Sequence, residues 1–407
     1  MTELSRRAWL RTALIVGGAG AAGCIAGPGG GDDETTPRPE GEIDDPPDLL
    51  VLADGETDGG NNHAATELSR LAYDEESDRY EVATTYAPDD LRITSFVPFE
   101  RGYAVTMGDA DALGNGPGTV NQTRLAVLDG EMEPRETREL SGHHTLATDG
   151  DILFTAYEDG FLSFDADLDQ LGETSLPEDL AGKHMEDVLI HDGVAYVVDN
   201  VVVPMYLFRL DVSDPTAPSY LEVLETVGIG QSLHQQWLEP DANRWCFLQT
   251  TRHRGGGEQN VIVTPMDGAA TGKTVDGPDG GIDRRADGEL DSVEIHTWTH
   301  DWVEDDVSED RDYGTRIEDV AGSPPIYAAV DDGEGYHLSS VGADGSGVSF
   351  GYEAQLDGPA RVDTVSGLAV ALSEDGTLFL FDTAEGRLGH VEPSPVDDLL
   401  ELSVLTA

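Results

Sequence analysis

From residue 48 onwards, the chain alternates short apolar runs with polar turns. The runs are rich in β-branched and aromatic residues, and Asp and Gly are frequent between them. Apolar residues spaced for an amphipathic helix are almost absent from this region. Such short runs are typical of β-strands, because successive side chains of a strand point to opposite faces and the turns need residues such as Gly and Asp. The pattern therefore predicts an all-β domain over residues 48–407.

One phrase, an apolar strand that ends in Asp before a turn, recurs seven times in this domain. Its copies lie at residues 71–74, 126–129, 162–165, 208–211, 264–267, 341–344 and 379–382. Their mean spacing is about 51 residues, which is in the range of propeller blades. We therefore expect a β-propeller with seven blades. The irregular sixth unit leaves the alternatives of six and eight blades open.

One blade contains further recognisable sequence in addition to this phrase. Residues 188–199 read Val-Leu-Ile-His-Asp-Gly-Val-Ala-Tyr-Val-Val-Asp, and Leu-Asp-Val-Ser-Asp-Pro follows at 210–215. This stretch resembles the LVIVD class of propeller repeats. Within this blade we expect four strands, from the central axis outwards, at residues 184–190, 194–198, 205–210 and 220–225.

The two ends of the domain predict how the ring closes. Residues 49–53 fit the second strand of a blade, so the first repeat lacks its innermost strand. An apolar run at 399–405 is left over at the C-terminus and can supply that strand. Closure by the C-terminal strand would leave no dangling sheet edge at this point.

The first 24 residues have the parts of an export signal. Arg6 and Arg7 precede an apolar run too short to span a bilayer, and small residues lead to Cys24. The paired arginines resemble a twin-arginine signal, which implies export after folding. The residues ahead of Cys24 resemble a lipobox, which implies that Cys24 becomes the lipidated first residue of the mature protein. Residues 1–23 would then be the signal and 24–47 a disordered Gly/Asp/Pro-rich tether. Lipid would anchor the protein at the extracellular face of the cytoplasmic membrane.

Charge indicates the environment outside the membrane. The chain has 23 Lys and Arg residues against 81 Asp and Glu residues, a net charge of −58. Removal of residues 1–23 leaves 20 against 80, a net charge of −60. The Debye screening length falls to about 3 Å near 1 M salt. Repulsion among the acidic side chains is therefore weak in brine, and a surface of this charge is compatible with a compact fold there. The composition resembles that of haloarchaeal proteins. It argues against a nucleic-acid partner, because the charges of the two would repel each other.

Histidines recur where the innermost strand of a predicted blade begins. The candidates in the third to sixth blades are His143, His144, His184, His234, His296 and His300. Neutral imidazole is a ligand for zinc and copper, usually three or four to a site. The double histidine followed by single ones is similar to the arrangement in periplasmic zinc-chaperone propellers and in propeller copper enzymes. The sequence therefore predicts a zinc or copper site at the mouth of the central channel, against the alternative of a plain histidine-lined polar channel.

Three functions remain open on this basis. The first is a metal-binding or chaperone protein at the cell surface. The second is a metal-free propeller that binds a carbohydrate or a protein partner there, with Trp237, Trp298 and Trp302 available to stack on sugar rings. The third is an enzyme that uses the metal, for which no general base or nucleophile stands out and no catalytic residue is assigned.

Two smaller features complete the sequence. Asn121, in Asn-Gln-Thr, is a predicted glycosylation acceptor on an exported chain. Cys246 has no partner for a disulfide once Cys24 is acylated, and its strand-like surroundings predict an inert buried thiol.

Overall fold

The chain folds as a ring of seven antiparallel sheets. The computed structural model describes residues 46–53, 66–89, 91–100, 102–109, 122–176, 185–199, 205–226, 231–253, 256–267, 284–286, 291–299, 316–321, 326–344, 347–365, 367–373, 376–384, 386–396 and 399–405. No helix in these ranges is long and apolar enough to cross a bilayer.

Within the described residues, the sheets are built from 29 strands. The first eleven are β1 (Leu49–Ala53), β2 (Glu67–Asp74), β3 (Arg79–Tyr86), β4 (Leu91–Phe99), β5 (Gly102–Asp109), β6 (Gln122–Leu128), β7 (Pro134–Ser141), β8 (His144–Thr148), β9 (Leu153–Tyr157), β10 (Gly160–Phe164) and β11 (Gln170–Ser175). The next nine are β12 (Met185–His191), β13 (Val194–Asp199), β14 (Met205–Asp211), β15 (Ser219–Thr226), β16 (Gln231–Glu239), β17 (Arg244–His253), β18 (Gly256–Pro265), β19 (Arg284–Ala286) and β20 (Asp291–Thr299). The last nine are β21 (Arg316–Val320), β22 (Tyr327–Asp331), β23 (Tyr336–Asp344), β24 (Gly347–Leu356), β25 (Ala360–Val365), β26 (Leu368–Ser373), β27 (Thr377–Asp382), β28 (Arg387–Pro393) and β29 (Leu399–Val404).

The strand order defines a seven-bladed β-propeller. The blades are β29-β1-β2-β3, β4 to β7, β8 to β11, β12 to β15 with β19 at the outer edge, β16-β17-β18-β20, β21 to β24, and β25 to β28. From the second blade round to β29 of the first, the first strands of neighbouring blades contact one another, as expected of strands around a central axis. The predicted fold and the count of seven are therefore confirmed.

The C-terminal strand closes the ring as the sequence predicts. β29 pairs antiparallel with β1, with Leu49 opposite Val404 and Val51 opposite Leu402. The amide of Leu405 also donates to the carbonyl oxygen of Asp48 at 2.9 Å. The first blade therefore takes its innermost strand from one end of the chain and its other three from the other end.

The hydrophobic core lies between the blades. Apolar clusters occupy all seven interfaces, and second strands such as β1 and β26 are buried along their whole length because both of their faces are covered. Outer strands such as β3 and β7 are largely exposed. This explains the sequence pattern: continuous apolar runs mark the second strands, and polar runs mark the outer edges.

The connections between strands divide between the two faces of the propeller, and most of the longest ones belong to a single face. The turns at 75–78, 149–152, 165–169, 192–193 and 383–386 join first to second strands or third to fourth strands, and they form what we call the short-turn face. The connections at 54–66, 110–121, 176–184 and 300–315 start and finish at the opposite face, which we call the long-connection face. The connection from β18 to β20 is a long one on the short-turn face, and its strand β19 pairs in parallel with β15 of the fourth blade.

Candidate functional site at the start of the third blade

The turn from β7 to β8 carries the two adjacent histidines that the sequence singles out. Gly142 takes the left-handed conformation that this turn requires (φ 84°). The hydroxyl of Thr123, on β6, donates to the carbonyl oxygen of Gly142 at 2.7 Å. Ring Nε2 of His144 lies 2.9 Å from the carbonyl oxygen of Ser141. Two side chains therefore fix the backbone on both sides of the turn, at the long-connection face.

His144 is buried and held at both ring nitrogens. A carbonyl oxygen only accepts hydrogen bonds, so Nε2 carries the proton and donates to Ser141. The Thr155 hydroxyl is then the donor to Nδ1, at 3.1 Å. The ring stacks on Tyr157, with centroids 4.9 Å apart and planes inclined by 17°. Burial lowers the pKa of His144 to about 4, although the bond to Ser141 opposes the shift. The ring is therefore neutral at pH 7, but it would have to give up a hydrogen bond to ligate a metal.

The other predicted ligands have different positions. His143 is 9% exposed and stands directly before β8. His184 and His300 lie outside the described residues. His234 lies inside β16 at a register shift between Leu233 and Gln235, not at the start of the strand as expected. Its side chain is not described. His143 is therefore the candidate whose position the structure supports best.

The placement of His296 in the innermost strand of the sixth blade is wrong. His296 lies in β20, which pairs with β18 as the outer strand of the fifth blade. The innermost strand of the sixth blade is β21. The insertion between β18 and β20 delays the fourth strand, so its apolar run has the spacing expected of the next blade.

The described residues contain no group of three or more His, Cys, Asp or Glu side chains arranged to hold a metal ion. The proposed stacking role of Trp237 also fails, because this side chain is fully buried and its indole N–H donates to Glu239 at 3.0 Å. The side chain of Trp298 and all of Trp302 lie outside the described residues. The expected inert thiol is confirmed: Cys246 is 1% exposed, and its burial beside Glu239 raises the pKa of the thiol.

Sequence reasoning missed a set of polar side chains that join innermost strands of successive blades. Gln235 of β16 bonds both the amide and the carbonyl of Val320, at 2.8 and 2.7 Å. Asp319 of β21 accepts the amide of Val362 at 2.7 Å. Asp363 of β25 accepts the amide of Val404 at 2.8 Å. A polar residue inside an apolar strand was the available signal, but nothing in the sequence says which blade it bonds.

Arg6, Arg7, Cys24 and Asn121 lie outside the described residues. The predicted export signal, lipidation and glycosylation therefore stay predictions.

Comparison with known proteins gives matches among solved structures only. No protein-family model matches the sequence. No curated protein matches it significantly. Dihydro-heme d1 dehydrogenase NirN, solved in complex with DHE, is 16% identical with a TM-score of 0.46, over 90% of this chain and 77% of that one. A putative 6-phosphogluconolactonase from Bacteroides uniformis is 14% identical with a TM-score of 0.46, over 89% and 100%. Apo AztD from Citrobacter koseri is 11% identical with a TM-score of 0.39, over 86% and 83%. Because the identities and TM-scores are this low, these structures do not indicate the ligand of this chain, which has to be inferred from its own residues.

Proposed function

We propose that this protein is an exported, lipid-anchored binding propeller that takes its ligand at the long-connection face. The observation that carries the proposal is the point where the chain joins the ring. Residues 46–48 lead directly into β1, and Asp48 bonds Leu405, which follows the end of β29. Both contacts lie at the short-turn face. A tether from Cys24 would therefore attach there and leave the opposite face pointing away from the membrane.

The length of the tether determines how strongly the lipid anchor restricts the orientation of the propeller relative to the membrane. Pro47 is already held by the domain, since the Tyr80 hydroxyl donates to its carbonyl oxygen at 2.8 Å. A flexible segment over residues 24–45 would have a root-mean-square span of roughly 23–28 Å. That is comparable with the size of a folded domain, so the lipid keeps the short-turn face on the membrane side more often than the other. The acidic surface supports a location in a salt-rich medium outside the cell.

For the ligand, we propose zinc or copper held by histidines at or near the starts of the inner strands of successive blades. His143 and His234 belong to the third and fifth blades, and His184 directly precedes in sequence β12 of the fourth blade, which lies between them in the ring. Three imidazoles from neighbouring blades would satisfy a transition metal that keeps one position open. His144 would act beneath them by fixing the turn that positions His143.

Metal titration tests this assignment. Purified protein in molar KCl with excess Mg²⁺, which occupies surface carboxylates, would be titrated with zinc by calorimetry. We expect one specific site, weakened at least tenfold (about 1.4 kcal/mol) by His143→Ala. His296→Ala on the outer strand is the matched control and should leave the affinity unchanged. Equal affinity in the wild type and in His143→Ala would rule out His143 as a ligand.

The alternative is a metal-free propeller that binds a carbohydrate or a protein at the same face. The occupied nitrogens of His144 and the lack of a metal-binding group among the described residues favour it. Failure of the wild type to take up zinc or copper would leave this alternative as the function of the face.

A further inference from the structure

We propose that Glu158 is a further metal ligand beside His143, and that its carboxylate suits the candidate site to a divalent ion such as zinc rather than to copper(I). The inference deepens the proposed function and rests on it. Glu158 directly follows β9, in the turn that leads to β10 on the long-connection face. The sequence predicts only histidines as ligands, whereas strand pairing brings this carboxylate to the same place.

The pairing of β8 with β9 places the two residues next to each other. His144, the first residue of β8, lies opposite Tyr157, the last residue of β9. One position further along, just beyond the ends of both strands, the same register brings His143 opposite Glu158. Opposite residues of an antiparallel pair point to the same face, with Cβ atoms about 5 Å apart. His143 and Glu158 therefore share one face of the hairpin, and the stacked ring pair occupies the other.

The position of the carboxylate supports this arrangement. Glu158 Oε1 is 3.8 Å from the point where a Cβ on Gly142 would lie, so this side chain reaches towards the turn that carries His143. The neighbouring carboxylate of Glu173 is already bonded, because it accepts the hydroxyl of Tyr157 at 3.3 Å. In the part of the chain that the structure describes, the Glu158 carboxylate has no hydrogen bond or ion pair. It is therefore available to a cation bound at this turn.

The combination of imidazole and carboxylate discriminates between metals. Imidazole binds zinc and copper alike, but a carboxylate oxygen is a ligand for divalent ions such as zinc, whereas copper(I) prefers the sulfur of thiolates and thioethers. The negative charge of the carboxylate also offsets part of the charge of a divalent ion. A site that contains both groups therefore favours zinc over copper(I).

Zinc titration by calorimetry, in molar KCl with excess Mg²⁺, tests the assignment. Glu158→Gln removes the ligating charge with little change in size, and we expect it to weaken zinc binding about tenfold or more. Asp159→Asn is the matched control, because it removes the same charge from the next residue, whose side chain is exposed. In molar salt the loss of that charge alone should change the affinity less than about threefold.

Copper(I) distinguishes a ligand from a residue that only orients His143. Its affinity would be measured by competition with a chromophoric copper(I) chelator. We expect His143→Ala to weaken the binding of both ions, and Glu158→Gln to weaken that of zinc alone. Urea midpoints equal to that of the wild type would show that the variants remain folded.

Three results overturn the inference. Equal zinc affinities of Glu158→Gln and Asp159→Asn would exclude Glu158 as a ligand, and a loss of affinity in His143→Ala would then leave the proposed metal site standing without it. Equal weakening of zinc and copper(I) binding by Glu158→Gln would make Glu158 a positioning residue. Failure of the wild type to bind zinc would overturn both this inference and the proposed metal site.

Discussion

Polar side chains that serve the backbone recur at the single-residue scale. The Asp that ends each repeated phrase lies at the turn between third and fourth strands of its blade. In five of these turns its carboxylate accepts amide N–H bonds from residues two to four positions on; these are Asp74, Asp129, Asp165, Asp211 and Asp382. Such bonds satisfy turn amides and hold the turn in one conformation. The short-turn face is therefore built from repeated, locally bonded turns.

His144 should make stability depend on pH. Its folded-state pKa of about 4 lies below the value of 6.5 for a free histidine, so the unfolded chain binds the extra proton first. The contribution of the neutral ring is fully present above pH 6.5 and is lost as pH falls towards 4. The loss should reach about 3 kcal/mol. Urea unfolding in molar salt between pH 7 and pH 4 measures it.

The control for this prediction is the pH dependence of the free energy of unfolding in a variant that lacks the histidine. His144→Gln cannot titrate, so its stability should fall less between pH 6.5 and pH 4 than that of the wild type. Carboxylates that titrate near pH 4 are common to both proteins and cancel in the difference. Parallel curves for the two proteins would show that His144 is not buried as the neutral form.

The sequence places the candidate site but not its contacts. The position of His143 and His144 at the start of an inner strand follows from the repeat, because that strand must come after the fourth strand of the preceding blade. The bonds from Thr123 and Thr155 join residues of other strands, and register across strands is set by tertiary packing. Trp237 shows the same limit: its residue type suits a binding platform, but its position buries it in the core.

At the scale of elements, neighbouring blades contact each other through backbone atoms as well as through side chains. Gly172 of β11 lies against the turn of the fourth blade, where an added Cβ would be 2.3 Å from the carbonyl oxygen of Pro215 and 2.8 Å from the carbonyl carbon of Thr216. The hydroxyl of Ser163, on β10, donates to the same Pro215 oxygen. The third and fourth blades therefore approach too closely here for any side chain.

Gly172→Ala should destabilise the protein strongly. The new methyl group meets backbone atoms, which cannot rotate away, so the two blades must separate. We expect a loss of about 1–3 kcal/mol or more in the free energy of unfolding. Gly358→Ala is the matched control, because a Cβ there meets nothing within 4 Å. Equal stability of the two variants in denaturant melts would contradict the close approach of the blades.

Periodicity determines how far the elements could be predicted. All seven copies of the repeated phrase lie at the end of a third strand, and the strands predicted for the fourth blade agree with β12 to β15 within a residue or so. The prediction fails in the fifth blade, where the insertion before β20 breaks the period. The parallel pairing of β19 with β15 has no sequence signal, since a three-residue strand owes its position to a neighbouring edge.

At the scale of the whole molecule, the ring is covalently continuous except at one place. Among the described strands, every blade but the first is formed by consecutive segments of the chain, and β19 is the one strand that joins a blade from elsewhere in the sequence. In the first blade, β29 is joined to β1 only by hydrogen bonds and packing. The bond from Asp363 to the amide of Val404 attaches this closing strand to the seventh blade as well. Loss of this contact weakens the attachment of β29, and no covalent connection between β29 and β1 compensates for it.

Asp363→Ala should therefore loosen ring closure before it affects the other blades. The amide of Val404 loses its carboxylate acceptor, at a cost of about 1–3 kcal/mol. Hydrogen exchange followed by mass spectrometry should show faster exchange in residues 399–404 than in β26. Asp363→Asn retains an oxygen acceptor and should largely restore protection. Asp319→Ala removes the equivalent bond to Val362, at an interface where the chain runs directly from β24 to β25, and should leave β29 protected. Equal exchange of β29 in the Asp363→Ala and Asp319→Ala proteins would show that closure does not depend on the Asp363 contact.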